Sequence, residues 1–309
     1  MKDVFSDILD TVALKAAIYF RTQFHPPFGV AVPQYQRAAR FHLIVQGCCF
    51  VRLGDDRIVI ALPGDLVFVP GGSAHVLASN SEIQCAPLAD VIAQAGFKGV
   101  GPFVLGSGPA ASACEMICGH FTFAEGADHP LLRAIPDVLH ISAAERARQP
   151  MLDDVLRLLI RRMLEDDPGV GATVSRLSEV LYIEVIRAGI AQAPEIARLM
   201  TAVADPQIGH ALALIHNDVA APWSVDGLAG EVAMSRSRFA DRFRDLVGSS
   251  PMHYVAEWRL QRALDLLGDP GLSVKAVAHR VGFKSAAAFS RAFAERFGHP
   301  PRQLRKNRE

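Results

Sequence analysis

Apolar residues between positions 41 and 69 fall into short clusters broken by turn-forming residues. Residues 41–45 (FHLIV), 48–53 (CCFVRL), 57–61 (RIVIA) and 65–69 (DLVFV) are rich in branched side chains. Gly47, the Gly54-Asp55-Asp56 run and Pro63-Gly64 separate them. Strands this short, with turns at this spacing, predict a sandwich or barrel. Residues 86–112 are rich in Gly, Ala and Pro and read as a long loop. A further strand pair is expected over 114–123 (CEMICGHFTF).

After Pro136 the pattern becomes helical. Leu152, Leu156, Leu159 and Met163 recur at helical spacing within 151–165, and Val174, Leu177, Leu181, Val185 and Ile186 do so within 173–191. Two such helices predict an antiparallel pair, and an apolar face left over would serve dimerisation. Pro194 and Asp205-Pro206 mark the passage to a last domain.

That last domain contains an internal repeat. Ser224, Val225, Ala229 and Val232 recur 49 residues later as Ser273, Val274, Ala278 and Val281. Phe239, Phe243, Gly248 and Pro251 recur 50 residues later as Phe289, Phe293, Gly298 and Pro301. A one-residue difference in an intervening turn accounts for the change of offset. In the first copy, Ser224 is placed to cap a helix burying Val225, Leu228, Ala229 and Val232. Ala233-Met234 form a turn, Ser235 caps a second helix with Phe239, Phe243 and Leu246 on one face, and Gly248 ends it. The second copy repeats this with Ser273, a Gly282-Phe283 turn and Ser285. Helix, tight turn, helix is the geometry that lets a second helix enter a DNA major groove. Arg236, Arg238, Arg242 and Arg244 line the first such helix, suited to phosphates and base edges. On the second, Arg291 is the base-reading candidate, and Arg296 and Lys284 suit the phosphate backbone. Residues 251–267, opened by Pro251, predict a helix of roughly 25 Å joining the copies. Such a strut could hold two reading helices about one turn of DNA apart, roughly 34 Å.

Bulk composition adds modestly to this. The 309 residues, half of them apolar, suffice for at least two domains. Net charge is zero, but residues 207–309 hold 15 Lys/Arg against 10 Asp/Glu, and the rest hold 17 against 22. A basic C-terminal part beside a mildly acidic remainder fits a DNA-binding half joined to a sensing half. No secretory signal and no apolar run of about 18 residues is present, so a cytoplasmic protein with no membrane partner is expected. The five cysteines (Cys48, Cys49, Cys85, Cys114, Cys118) form neither an even disulfide framework nor a CxxC pair. GxGxxG, GxxxxGK[ST] and GxSxG are all absent.

Residues 207–305 resemble the DNA-binding domain of the AraC/XylS regulator family. The resemblance is carried by 228–239 (LAGEVAMSRSRF), 243–254 (FRDLVGSSPMHY), 257–267 (EWRLQRALDLL) and 277–304 (VAHRVGFKSAAAFSRAFAERFGHPPRQL). It implies that both second helices lie in the major groove. The base-facing sites would be Ser237, Ala240 and Asp241 in the first copy, and Ala286, Ala287, Ala288 and Arg291 in the second. Several of these are small or acidic, which leaves room for shape readout and thymine-methyl contacts. With Arg236, Arg238, Arg244, Lys284, Ser285 and Arg296 they make up the expected DNA-binding set.

Residues 64–75 (GDLVFVPGGSAH) resemble the second cupin motif through Gly64, Pro70, Gly72 and His75, with Asn80 one residue late. The first motif is weak: Phe41-His42-Leu43 offers one His, and the expected Glu is missing. The wider pattern of 115–123, 129–140 and 151–188 resembles the cupin-type sensing domains of one AraC branch. This implies a small β-barrel with an interior for one ligand. His42, His75, Cys118 and His120 are the candidate effector or metal residues, a set that would suit zinc or iron. A catalytic metal site needs three protein ligands and an open position, which one motif does not assemble.

The expected fold is therefore α+β. A cupin-like β-barrel (1–145) is followed by a helical dimerisation segment (146–205) and an all-α DNA-binding domain (206–309) with helix-turn-helix units near 224–247 and 273–297. The expected function is a non-enzymatic transcription regulator that senses a small-molecule effector. Its expected partners are double-stranded DNA, the effector and a second copy of the chain, with RNA polymerase a further candidate. Two rivals remain. One is a thiol-based oxidant sensor, although Cys114 and Cys118, four apart on one strand, would lie about 13 Å apart, too far to bond. The other is a metal-dependent cupin enzyme.

Overall fold

The computed structural model describes residues 4–10, 14–35, 38–54, 57–99, 101–123, 135–163, 167–189, 192–269 and 271–306. Asp55-Asp56 of the turn read above, and residues 129–134 of the cupin-like pattern, lie outside the described residues. The chain divides into two compact units. One contains 14–124 and 135–193; the other contains 194–309 together with 1–13 and 125–134.

The strands are β1 (Leu14–Phe24), β2 (Gly29–Val32), β3 (Ala38–Gln46), β4 (Cys49–Leu53), β5 (Ile58–Ala61), β6 (Leu66–Val69), β7 (His75–Ala78), β8 (Ala86–Pro87), β9 (Phe103–Leu105), β10 (Cys114–Phe123) and β11 (Leu139–Ile141). They form a six-stranded sheet in the order β11-β6-β3-β10-β1-β9 and a five-stranded sheet in the order β5-β4-β7-β2-β8. The helices are α1 (Val4–Asp10), α2 (Leu88–Ala95), α3 (Ala143–Arg146), α4 (Pro150–Met163), α5 (Val170–Gly189), α6 (Pro194–Ala204), α7 (Ile208–Asn217), α8 (Val225–Glu231), α9 (Arg236–Val247), α10 (Pro251–Leu266), α11 (Val274–Arg280), α12 (Ala286–Phe297) and α13 (Pro301–Lys306). The fold is α+β, sheet-rich in the first unit and helical in the second.

The strand core reads as a near-continuous apolar run because both faces of the six-stranded sheet are covered. One face looks into the core between the sheets, with Phe24, Val30, Val51, Val67 and Met116. On the other, Phe41, Phe68 and Phe121 meet Tyr182 of α5, whose ring lies 5.8 Å from Phe68 and 6.4 Å from Phe121. Helices α4 and α5 pack on each other and belong to this first unit, whereas α6 belongs to the second.

Two expectations are corrected here. Residues 86–112 are not one long loop: they hold β8, α2, β9 and a 3-10 turn at Ala110–Ser112. Nor is 114–123 a strand pair. It is one ten-residue strand, held on one side by β1 (Phe20 opposite Cys118) and on the other by β3 (His42 opposite Cys118). Gly119 does not turn this strand. A Cβ there would lie 2.0 Å from the Phe41 ring, so the glycine serves a close approach of side chain to backbone.

In the second unit, α10 is more than a strut. Its first half packs on the first repeat copy, with Tyr254 against Phe243 at 5.8 Å. Its second half supplies Leu260, Ala263, Leu264 and Leu267 to the core of the second copy, beside Val277, Ala278, Val281, Phe289 and Phe293. Helix α1 packs on α7. There Asp7 meets His216 Nδ1 at 3.2 Å, while His216 Nε2 bonds the Tyr254 hydroxyl at 2.8 Å.

Candidate functional site

The two repeat copies share more than sequence. In the first, Ser224 Oγ accepts from the Gly227 N–H at 3.0 Å; in the second, Ser273 Oγ accepts from Ala276 at 3.1 Å. Each turn is closed by the same bond, Met234 N–H to Ala229 O and Phe283 N–H to Ala278 O, both 2.9 Å. Each turn has a residue at positive φ, Ala233 (+51°) and Gly282 (+82°). Gly248 and Gly298 end the second helices in left-handed conformation. Lys284 is the extra residue of the second copy, standing between its turn and its cap. The caps differ: Ser285 Oγ accepts from Ala288 at 3.2 Å, whereas Ser235 makes no side-chain cap bond.

Phe239 and Phe243 in α9, and Phe289 and Phe293 in α12, are fully buried. The opposite faces are open. Arg236, Ser237, Arg238, Asp241 and Arg244 are exposed on α9, with Ala240 half-buried. Lys284, Ser285, Ala287 and Arg291 are exposed at α12, with Ala286 and Ala288 half-buried. Arg236 pairs with Asp226 at 2.9 Å and Arg244 with Asp241 at 3.6 Å. Arg242 is committed to Asp205, a nearly buried acid that also accepts from the backbone N–H groups of Gln207 and Ile208. Burial raises the Asp205 carboxyl, but these donors outweigh it and hold the acid ionised below its ordinary range. Arg296 lies against Glu257 of α10 at 2.8 Å and is mostly covered, which ties α12 to the connector. Among the described residues, Arg238 and Arg291 have no acidic partner. Arg291 occupies the same place on its helix as Asp241 does on α9.

The first unit contains a cavity of about 260 Å³ between its sheets, lined from β1, β2, β3, β7, β9, β10 and α2. Of the candidate residues, His42, Cys118 and His120 line it. His75 lies directly behind His42. His75 Nδ1 donates to the Ser73 carbonyl at 2.9 Å, so its Nε2 is an acceptor. It accepts a hydrogen bond from His42 Nε2 at 2.9 Å, and His42 Nδ1 in turn accepts from the Cys118 thiol at 3.1 Å. Every ring nitrogen of His42 and His75 is used with both rings neutral. Burial drives His42 well below the usual imidazole range and His75 down to about 4, and it pushes the Cys118 thiol up.

This arrangement does not fit one metal ion. Cys118 and His75 sit on opposite nitrogens of His42, so the three cannot converge on a common point. Among the described residues, no group of three or more His, Cys, Asp or Glu is placed to hold a metal. Cys49 and Cys114 hydrogen-bond with each other in the core; that bond, with burial, pushes the Cys49 thiol up, and the same bond draws the Cys114 thiol down.

The sequence reading missed Arg40 and Tyr35. Arg40 lines the cavity, is only 7% exposed, donates from Nε to His120 Nδ1 at 3.2 Å and lies 4.4 Å over the Tyr35 ring. A lone arginine inside the apolar run AARFHLIV was the signal.

A cupin family profile matches residues 3–191 and a helix-turn-helix domain profile matches 228–307. The chain is 30% identical over 311 residues to the HTH-type transcriptional regulator AlkR of Acinetobacter baylyi, covering 98% of this chain and 99% of that one. It is 30% identical over 280 residues to an AraC-like transcription regulator of Streptomyces antibioticus, covering 87% of each. The chain belongs to the AraC-type family of transcription regulators. Among solved structures, the DNA-binding domain of AdpA in complex with a target DNA covers 33% of this AraC-type regulator and 92% of itself, at 33% identity and a TM-score of 0.32. The regulator combines a cupin-like domain with a helix-turn-helix DNA-binding domain. No described helix is long and apolar enough to cross a membrane.

Proposed function

We propose that this AraC-type regulator reads its operator with the exposed faces of α9 and α12, and that the cavity between its sheets takes a small-molecule effector that alters DNA affinity. One observation carries the first part. The same helix-turn-helix is built twice, and each second helix turns an arginine without an acidic partner among the described residues, Arg238 or Arg291, toward solvent. Arg291 suits bidentate contact with guanine. Asp241, at the matching site of α9, suits acceptance from the cytosine amino group. Arg236, Arg244 and Lys284 suit phosphates, and Ser285 belongs to the cap that aims α12.

The effector reading is supported by a half-open, mostly apolar cavity lined from both sheets with a few convergent polar groups. Linkage then requires effector and DNA to change each other's affinity by the same factor. Helices α4 and α5 leave Met151, Leu158 and Val180 exposed. This supports pairing of two chains through that face. The geometry of His42, His75 and Cys118 does not favour a metal-dependent enzyme.

Arg291→Ala tests the reading. It should cost about 1–3 kcal/mol on the preferred sequence and relax preference at one base position, measured by competition binding against single-base operator variants. Unchanged affinity and preference would remove α12 from the groove.

A further inference from the structure

We infer that the effector is a small monoanion with an apolar body, its acidic head held by Arg40 of β3. The inference rests on the proposal that this cavity is the effector site, and it names what the site selects.

Arg40 is buried, yet no carboxylate faces it among the described residues. Its neighbours are an imidazole and a phenol ring, His120 and Tyr35. A buried cation with no counter-ion is unfavourable unless something compensates it, and a guanidinium fork matches a carboxylate in shape as well as charge. Among the described residues, Arg40 is the only charged side chain lining the cavity: burial, then His75 and Arg40, lower the His42 imidazole, and burial with Arg40 lowers His120, so both stay neutral. The remaining wall is built by groups such as Phe20, Phe24, Val30, Leu77 and Phe103. An amine would meet repulsion there and no acid. A sugar would leave most of its hydroxyls unpaired against hydrocarbon. At native packing density a cavity of about 260 Å³ accommodates roughly 190 Å³ of molecular volume, on the order of ten non-hydrogen atoms.

Octanoate, octan-1-ol and octylamine are matched probes of this size that differ only in the head group. Calorimetric titration of the full chain near neutral pH should show one octanoate per chain, octan-1-ol weaker by about tenfold or more, and no octylamine binding; tenfold is the order expected for one charge-assisted hydrogen bond. Arg40→Gln should weaken octanoate by a similar factor and abolish the preference over the alcohol, and Arg40→Lys should restore part of it. Absence of octanoate binding, equal binding of the alcohol, binding of the amine, or an indifferent Arg40→Gln would each overturn the inference. The probe series needs no variant, so it decides the matter even if Arg40→Gln does not fold. A separate operator titration with and without octanoate tests the coupling. Selective binding without a change in DNA affinity would defeat the regulatory reading and leave the ligand class standing.

Discussion

Replacing Gly282 with alanine isolates what positions the second reading helix. At φ +82° an alanine adds the left-handed penalty of about 1–2 kcal/mol. Its Cβ would lie 2.9 Å from the Ala220 carbonyl oxygen, 3.0 Å from the Ala220 Cα and 2.9 Å from Arg259 Nη2. Arg259 can swing away from the third contact, but the Ala220 backbone must also give by a few tenths of an ångström. That guanidinium donates from Nε to Val219 O at 3.0 Å and from Nη2 to Ala221 O at 2.6 Å. Weakening one charged hydrogen bond adds about 1.5–3 kcal/mol. The stiffer unfolded chain returns about 0.4–1 kcal/mol, so the net loss is about 1.5–4.6 kcal/mol. Two controls share the background. Ala233 holds the equivalent turn position at φ +51°, so Ala233→Gly should stay within about 1 kcal/mol of wild type. Gly230, late in α8 with open space where a Cβ would go, should tolerate Ala with a gain of up to about 1 kcal/mol. Both tryptophans, Trp223 and Trp258, belong to the second unit, so urea unfolding followed by tryptophan fluorescence reports this unit alone. If Gly282→Ala unfolds at the wild-type midpoint, or Gly230→Ala proves the worse of the two, the account of the turn is wrong.

Three further outcomes are expected. Phe289→Ala, with Phe289 fully buried between the Phe283 and Phe293 rings at 5.3 and 5.5 Å, should destabilise the second copy by about 3–5 kcal/mol in the same assay. His75 carries a folded-state value near 4 against 6.5 unfolded, so between these values the unfolded chain binds the extra proton. Stability from this group is complete above about 6.5 and is lost as pH falls toward 4. The fall from pH 7 to 5 should cost about 2 kcal/mol, with His42 adding in the same direction. Hydrogen exchange of β3 and β7 measures it, and equal protection at both pH values would contradict neutral imidazoles in the core. Asp205→Ala removes the acceptor of Ile208 N–H, Gln207 N–H and Arg242, and should destabilise the second unit by about 1–3 kcal/mol in urea unfolding.

The helical half was the more legible. Its repeat stands in the sequence as paired serines, phenylalanines and glycines, each of which has a local job the chain cannot perform otherwise. Ser224 and Ser273 cap, the phenylalanine pairs fill, and Gly248 and Gly298 close. Ser235 was over-read, because extended backbone at a helix start does not oblige its hydroxyl to bond. In the barrel, β3 to β6 were visible as apolar bursts between turn residues. Strand β1 was not, since LKAAIYFRTQF lacks clean alternation and only its far end, at Pro26-Pro27, carries a turn signal. Helix α2 was hidden by the Gly and Pro around it. His42, His75, Cys118 and His120 were correctly singled out as chemistry-bearing types, but pairing is a matter of register across strands, and register is not written in any one strand. The arrangement of proton donors and acceptors that links His42 to His75 and Cys118 therefore emerged only from the sheets, and so did the solitary charge of Arg40.

The pairing of Asp241 with Arg291 at corresponding points of two otherwise matching helices has an evolutionary consequence. The phenylalanine pairs that fill each copy face inward, so outward positions away from the caps and the Arg242–Asp205 pair can be rewritten without loss of fold. If α9 and α12 read DNA as proposed, opposite charges at equivalent points would make the molecule polar along the duplex. Such a protein would distinguish a target from its reversed orientation, and its binding would carry direction as well as location.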